Sequence, residues 1–161
     1  MNKLFILFFI LPFFGFSQKT LSVEYPPQAE EDSIKSRTKV IDAIFMQDKI
    51  SLLVGSNGCF HSVSVEYSFV KKADYFEATY IKTHSRTIKC KGKVKLSNEK
   101  MEQIHKLCVY GLSIKQGGCT TSVAFELTAK AQKISFNDDR CANEDDLMNR
   151  IGEIVGVCKD F

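Results

Sequence analysis

Residues 87–96 alternate without a break. Ile88, Cys90, Gly92, Val94 and Leu96 take one parity, and Thr87, Lys89, Lys91, Lys93 and Lys95 take the other. A helix would spread these lysines around its circumference, whereas a strand sets them all on one side. The segment is therefore a half-buried antiparallel strand. Any fold open to this chain must give that strand a core on one face and water on the other.

The same period recurs nearby. Val63, Val65, Tyr67 and Phe69 oppose Ser62, Ser64, Glu66 and Ser68, and Phe76, Ala78 and Tyr80 form a second strand. Cys119, Thr121, Val123, Phe125 and Leu127 alternate in turn, with Ile134 and Phe136 returning across a turn at Lys130. Residues 40–46 and 50–54 read as a further hairpin about Gln47-Asp48-Lys49, although the first limb also suits a helical turn. Between the strands the period changes. Ser97 can cap a helix, Leu96 can pack on Met101, and Met101, Ile104 and Cys108 recur at helical spacing before Gly111. A last helix is predicted from Asn143, with Glu144, Asp145 and Asp146 at its positive end. Its apolar side carries Leu147, Ile151, Ile154 and Cys158. No βαβ alternation occurs, so a parallel nucleotide-binding sheet is disfavoured. The expected class is α+β: an antiparallel meander plus hairpin, two α-helices packed on one face, and disulfide stabilisation.

The first 17 residues have a different character. Lys3 precedes an apolar run from Leu4 onward, and small Gly15 and Ser17 stand just before Gln18. This is the layout of a cleavable secretory signal. The run reaches only about 20 Å as a helix, short of the roughly 30 Å hydrocarbon layer. Its Phe-rich apolar stretch ending in Ser-Gln suggests bacterial export to the periplasm or the medium. Removing residues 1–17 leaves 144 residues with a net charge of +2, enough for one domain and too weakly charged to dictate a partner. Residues 18–37 are polar around Pro26-Pro27 and read as an extended arm, with a single globular domain over 38–161.

Six cysteines, Cys59, Cys90, Cys108, Cys119, Cys141 and Cys158, fall after the signal. An even number in an exported chain points to disulfides, and the absence of C-x-x-C removes the usual redox and zinc spacings. Spacing along the predicted elements suggests Cys119–Cys141, Cys90–Cys108 and Cys59–Cys158, one of 15 possible connectivities.

Candidate chemistry is sparse. Lys89, Lys91, Lys93 and Lys95 form a cationic stripe that Lys71, Lys72, Lys82 and Arg86 can extend. Such a stripe could meet an acidic partner, or only discourage strand pairing at an edge. Few aromatics interleave it, so nucleic acid is an unfavoured partner. Gly117-Gly118-Cys119-Thr120-Thr121 could form a binding loop, and Gly117, Gly118, Thr120 and Thr121 join the lysines as candidate contacts. Asp138, Asp139, Glu144, Asp145 and Asp146 lack the glycine and terminal glutamate of a calcium loop, so no metal is assigned. His61, His84 and His105 stand singly, and no known catalytic motif is present. No catalytic residue and no cofactor is assigned. The leading expectation is an exported, non-catalytic binding or inhibitory protein of the immunity type, acting on a protein or envelope component. The alternative is a small secreted hydrolase of an anionic polymer, which needs a histidine beside a carboxylate in a cleft.

Overall fold

A computed structural model describes residues 27–58, 62–114, 121–138 and 147–158. The first 17 residues lie outside them. Helix α1 (Pro27–Phe45) leads into a meander of β1 (Lys49–Asn57), β2 (Ser62–Lys71), β3 (Phe76–His84) and β4 (Thr87–Leu96). Helix α2 (Asn98–Gly111), the hairpin β5 (Ser122–Ala129) and β6 (Gln132–Asp138), and helix α3 (Leu147–Val155) complete the chain. The six strands make one antiparallel sheet in the order β4-β3-β2-β1-β5-β6. After β4 the chain recrosses three strands through α2, so that β5 pairs with the far side of β1.

Helix α1 overturns the expected arm and first hairpin limb. Residues 27–37 are helical, and one helix runs across the boundary drawn between residues 37 and 38. Pro27 is its first residue, a position where the missing N–H costs nothing and the fixed φ already suits a helix. Ile41 and Ile44 are wholly buried, and Ile34 and Phe45 pack against the same core. At the helix's outer side, Arg37 Nη2 donates to Ser135 O on β6 at 2.6 Å.

Residues paired across the sheet share a face, and burial alternates along every strand. Leu52, Tyr67 and Tyr80 are in register on one face, as are Val54, Phe125 and Phe136. These side chains merge with Met101, Ile104, Leu107, Leu147, Ile151 and Val155 of the helices in one cluster. The opposite face carries partly or fully exposed residues such as Ser51, Leu53, Glu66 and Thr79.

Helix α2 begins as its sequence implies: Lys100 N–H donates to Ser97 Oγ at 3.3 Å, and Leu96 and Met101 are both buried. Gly111 stands at the end of the helix, as its position implies, and has a second part in packing. It is the last helical residue, and the Phe136 ring and Leu147 pack where a Cβ would stand. Helix α3 is described from Leu147, whose N–H donates to the buried Asp138 Oδ2 at 3.3 Å. Asp138 thus serves the start of α3, while Asp139, Glu144, Asp145 and Asp146 lie outside the described residues.

One disulfide joins Cys90 to Cys158, with Cα atoms 6.1 Å apart. This corrects the expected Cys90–Cys108 and Cys59–Cys158 pairings. Cys158, just beyond α3, takes the place beside Cys90, and Cys108 remains a free thiol on the buried side of α2. Cys59, Cys119 and Cys141 are outside the described residues. Six cysteines less one bridge and one free thiol leave three, so three intrachain bridges cannot form.

Candidate functional site

The lysine stripe occupies β4, which is an edge strand. Lys91, Lys93 and Lys95 pair with Ile81, Thr79 and Glu77, all on the face away from the core. Lys89 does not continue the row. Cys90 pairs with Lys82 and Ile88 with Thr83, so Lys89 is the extra residue of a β-bulge. The lysines that remain are partly answered. Lys93 Nζ lies 2.8 Å from Glu77 Oε2, and Lys95 Nζ lies 5.0 Å from the centroid of the Tyr75 ring. The Lys93 ammonium, with Lys72 and Lys95 adding, holds the Glu77 carboxyl below its usual range. Two apolar side chains share the row: Ile81 is 39% exposed and Ile88 58%.

Behind that edge, the open face is polar. Thr128, Ser51, Ser68 and Thr79 stand in one register row, with Lys133 at one end and Lys93 at the other. Glu126, Leu53, Glu66 and Ile81 form the next row, over a depression of about 290 Å³. Lys133 Nζ lies 2.7 Å from Glu126 Oε2.

Of the residues proposed to extend the stripe, Lys82 does not. It pairs with Val65 and Cys90, on the same face as Tyr67 and Tyr80, and borders a cleft of about 470 Å³ under α3. Met148, Gly152, Glu153, Val157 and Cys158 form the other wall. Tyr67 also lines this cleft, and its Oη is buried and without a hydrogen-bond partner among the described residues. Burial, with Tyr80 adding, pushes the Tyr67 phenol well above its usual pKa, so it remains a protonated donor. By contrast, Tyr80 Oη accepts from Cys158 N–H at 3.3 Å. The parity of Phe76, Ala78 and Tyr80 already carried the signal for Lys82, two residues further along the same face.

The remaining candidates separate. Gly117, Gly118 and Thr120 lie outside the described residues, and Thr121 stands half-buried just before β5. His84 ends β3 in an exposed position, and His61 is outside the described residues. His105 Nε2 lies 2.8 Å from Asp42 Oδ1, joining α2 to α1, and Phe45 meets the imidazole edge-on at 4.8 Å. This supplies the histidine–carboxylate contact a hydrolase needs, but neither residue borders any of the described cavities. Among the described residues, no group of three metal-ligating side chains converges, and no helix is long and apolar enough to cross a membrane.

No protein-family model and no curated protein sequence matches the chain.

Proposed function

We propose that this chain is an exported, non-catalytic binding protein that docks an acidic protein surface of the cell envelope or medium and thereby inhibits it. The observation that carries the reading is the mixed character of the β4 edge. Exposed Ile81 and Ile88 stand among Lys91, Lys93 and Lys95 on one face. Exposed aliphatic groups ringed by cations suit a partner that offers apolar contacts within a carboxylate rim. A purely solvated face has no use for the two isoleucines. The Cys90–Cys158 bridge supports folding in an oxidising compartment, in keeping with the signal-like first 17 residues. The hydrolase alternative rests on His105 and Asp42, and their place between two helices away from the cavities favours a structural role.

The test is capture from periplasmic and secreted fractions by the wild-type protein and by a Lys91→Glu/Lys93→Glu/Lys95→Glu variant. The expected result is one saturable acidic partner, weakened by salt and lost on charge reversal while the circular dichroism spectrum is unchanged. Equal capture by both proteins would remove this face from consideration. N-terminal mass spectrometry of the exported chain should begin at Gln18.

A further inference from the structure

The cleft under α3 has the parts of a ligand site that the docking reading does not use. We propose that it binds a small apolar amino acid, or an equivalent zwitterion. Lys82 and Tyr67 Oη hold the carboxylate, and Glu153 faces the ammonium group.

Three observations converge on that chemistry. Lys82 has an inward parity on β3 and no salt bridge among the described residues, so its ammonium stands at the border of the core with Glu153 lining the same cleft but not in contact with it. Tyr67, on the neighbouring strand, contributes a buried hydroxyl that also lacks a partner among the described residues. Lys82 is opposite Val65, which makes Tyr67 its diagonal neighbour on the same face, about 7–8 Å away between Cα atoms. The lysine's flexible stem spans that gap, so one carboxylate can take both donors. The two groups are a cation and a neutral donor, a set that recognises an anion.

The lip of the cleft narrows the class. Glu153, on α3, would repel a simple anion such as phosphate, whereas a ligand with an ammonium group at the far end satisfies it. Val65, Val157 and Met148 supply apolar walls for a side chain. At about 470 Å³, the cleft has room for a ligand of this size together with water. Tyr67 Oη is out of contact with solvent in the unliganded protein and lies close to Gly152 of α3, where the absent side chain leaves the least bulk between it and the cleft.

The full chain, exported and purified in oxidised form, is titrated with leucine, valine, methionine and phenylalanine by calorimetry and by amide chemical-shift perturbation. At least one should bind saturably and shift resonances of β2, β3 and α3. Its amide, which lacks the carboxylate, and its deaminated acid, which lacks the ammonium, should each bind about tenfold more weakly or not at all. Lys82→Met should weaken binding by about tenfold or more, and Tyr67→Phe by several-fold with no loss of thermal stability. Lys35→Glu, at an exposed position of α1, should bind normally. Absence of saturable binding by all four at about 10 mM would overturn the proposal. So would affinity unchanged in Lys82→Met, or a crystal structure at saturating ligand with only a water on Tyr67 Oη.

Discussion

The phenol of Tyr80 lies over Gly92, its partner in the β3–β4 register, where a Cβ would stand 2.5 Å from Tyr80 Oη. Glycine therefore permits the ring to reach the Cys158 N–H, and one missing methyl group links the edge strand to the end of α3. Gly92→Ala should cost about 1–3 kcal/mol by forcing the ring aside. Urea denaturation would measure the loss, and an unchanged midpoint would mean that Tyr80 has another place to go.

The Cys90–Cys158 bridge closes a loop of 68 residues. By the loop-entropy relation, removing it in a Cys90→Ser/Cys158→Ser variant should cost about 4 kcal/mol. Because Cys108 is unbridged, alkylation of the denatured, unreduced monomer should label at least two thiols: Cys108 and one of the three left over. A monomer with no reactive thiol would contradict the assigned bridge and free cysteine together.

Stability should decline in alkali. Burial pushes the Cys108 thiol up to about 12 from its ordinary value of 9.0. Between those values the unfolded chain has lost a proton that the folded chain keeps, so unfolding becomes easier as pH rises. The stabilisation is complete below about pH 9 and fades toward pH 12, with a limiting slope of about 1.4 kcal/mol per pH unit from this group. Tyr67 acts in the same direction at higher pH. In Cys108→Ala, the decline between pH 9 and pH 11 should flatten, which chemical denaturation across pH would detect.

The β3–β4 turn is built from Ser85 and Arg86, both with positive φ (48° and 68°). Hairpins of this type favour Asn-Gly, since glycine meets no steric penalty there. Arg86→Gly should raise stability by about 0.5–1 kcal/mol without altering the sheet. Thermal unfolding would register a small upward shift, and a downward one would assign the arginine a role beyond the turn.

How far the sequence could be read depended on whether a residue's surroundings were local. The lysine alternation, the Ser97 cap and the turn at Lys130 depend on neighbours within a few positions, and each element stands where periodicity put it. Helix α1 departs from the expectation because Pro26-Pro27 and a polar run have the composition of an extended tether. In fact Pro27 opens a helix whose apolar stripe, from Ile34 to Phe45, is too sparse to stand out. The bulge at Lys89 left no mark in the alternation that surrounds it. Pairing Cys90 with Cys158 requires knowing that the chain just beyond α3 reaches β4, information spread over the whole sequence. The cleft is half visible in the sequence: Lys82 has the inward parity of Tyr80, and only its charge places it with the surface lysines.

The ring closed by Cys90 and Cys158 also sets how this molecule would bear mechanical load. A pull applied beyond Cys158 passes through the sulfur atoms to β4, bypassing α3, β6, β5 and α2, which all lie inside the covalent ring. Tension would therefore peel the outermost strand first, and the enclosed elements could lengthen the chain only after reduction. Tethered by its C-terminal end, the oxidised protein should extend by fewer residues than its length allows, and a reductant should release the remainder.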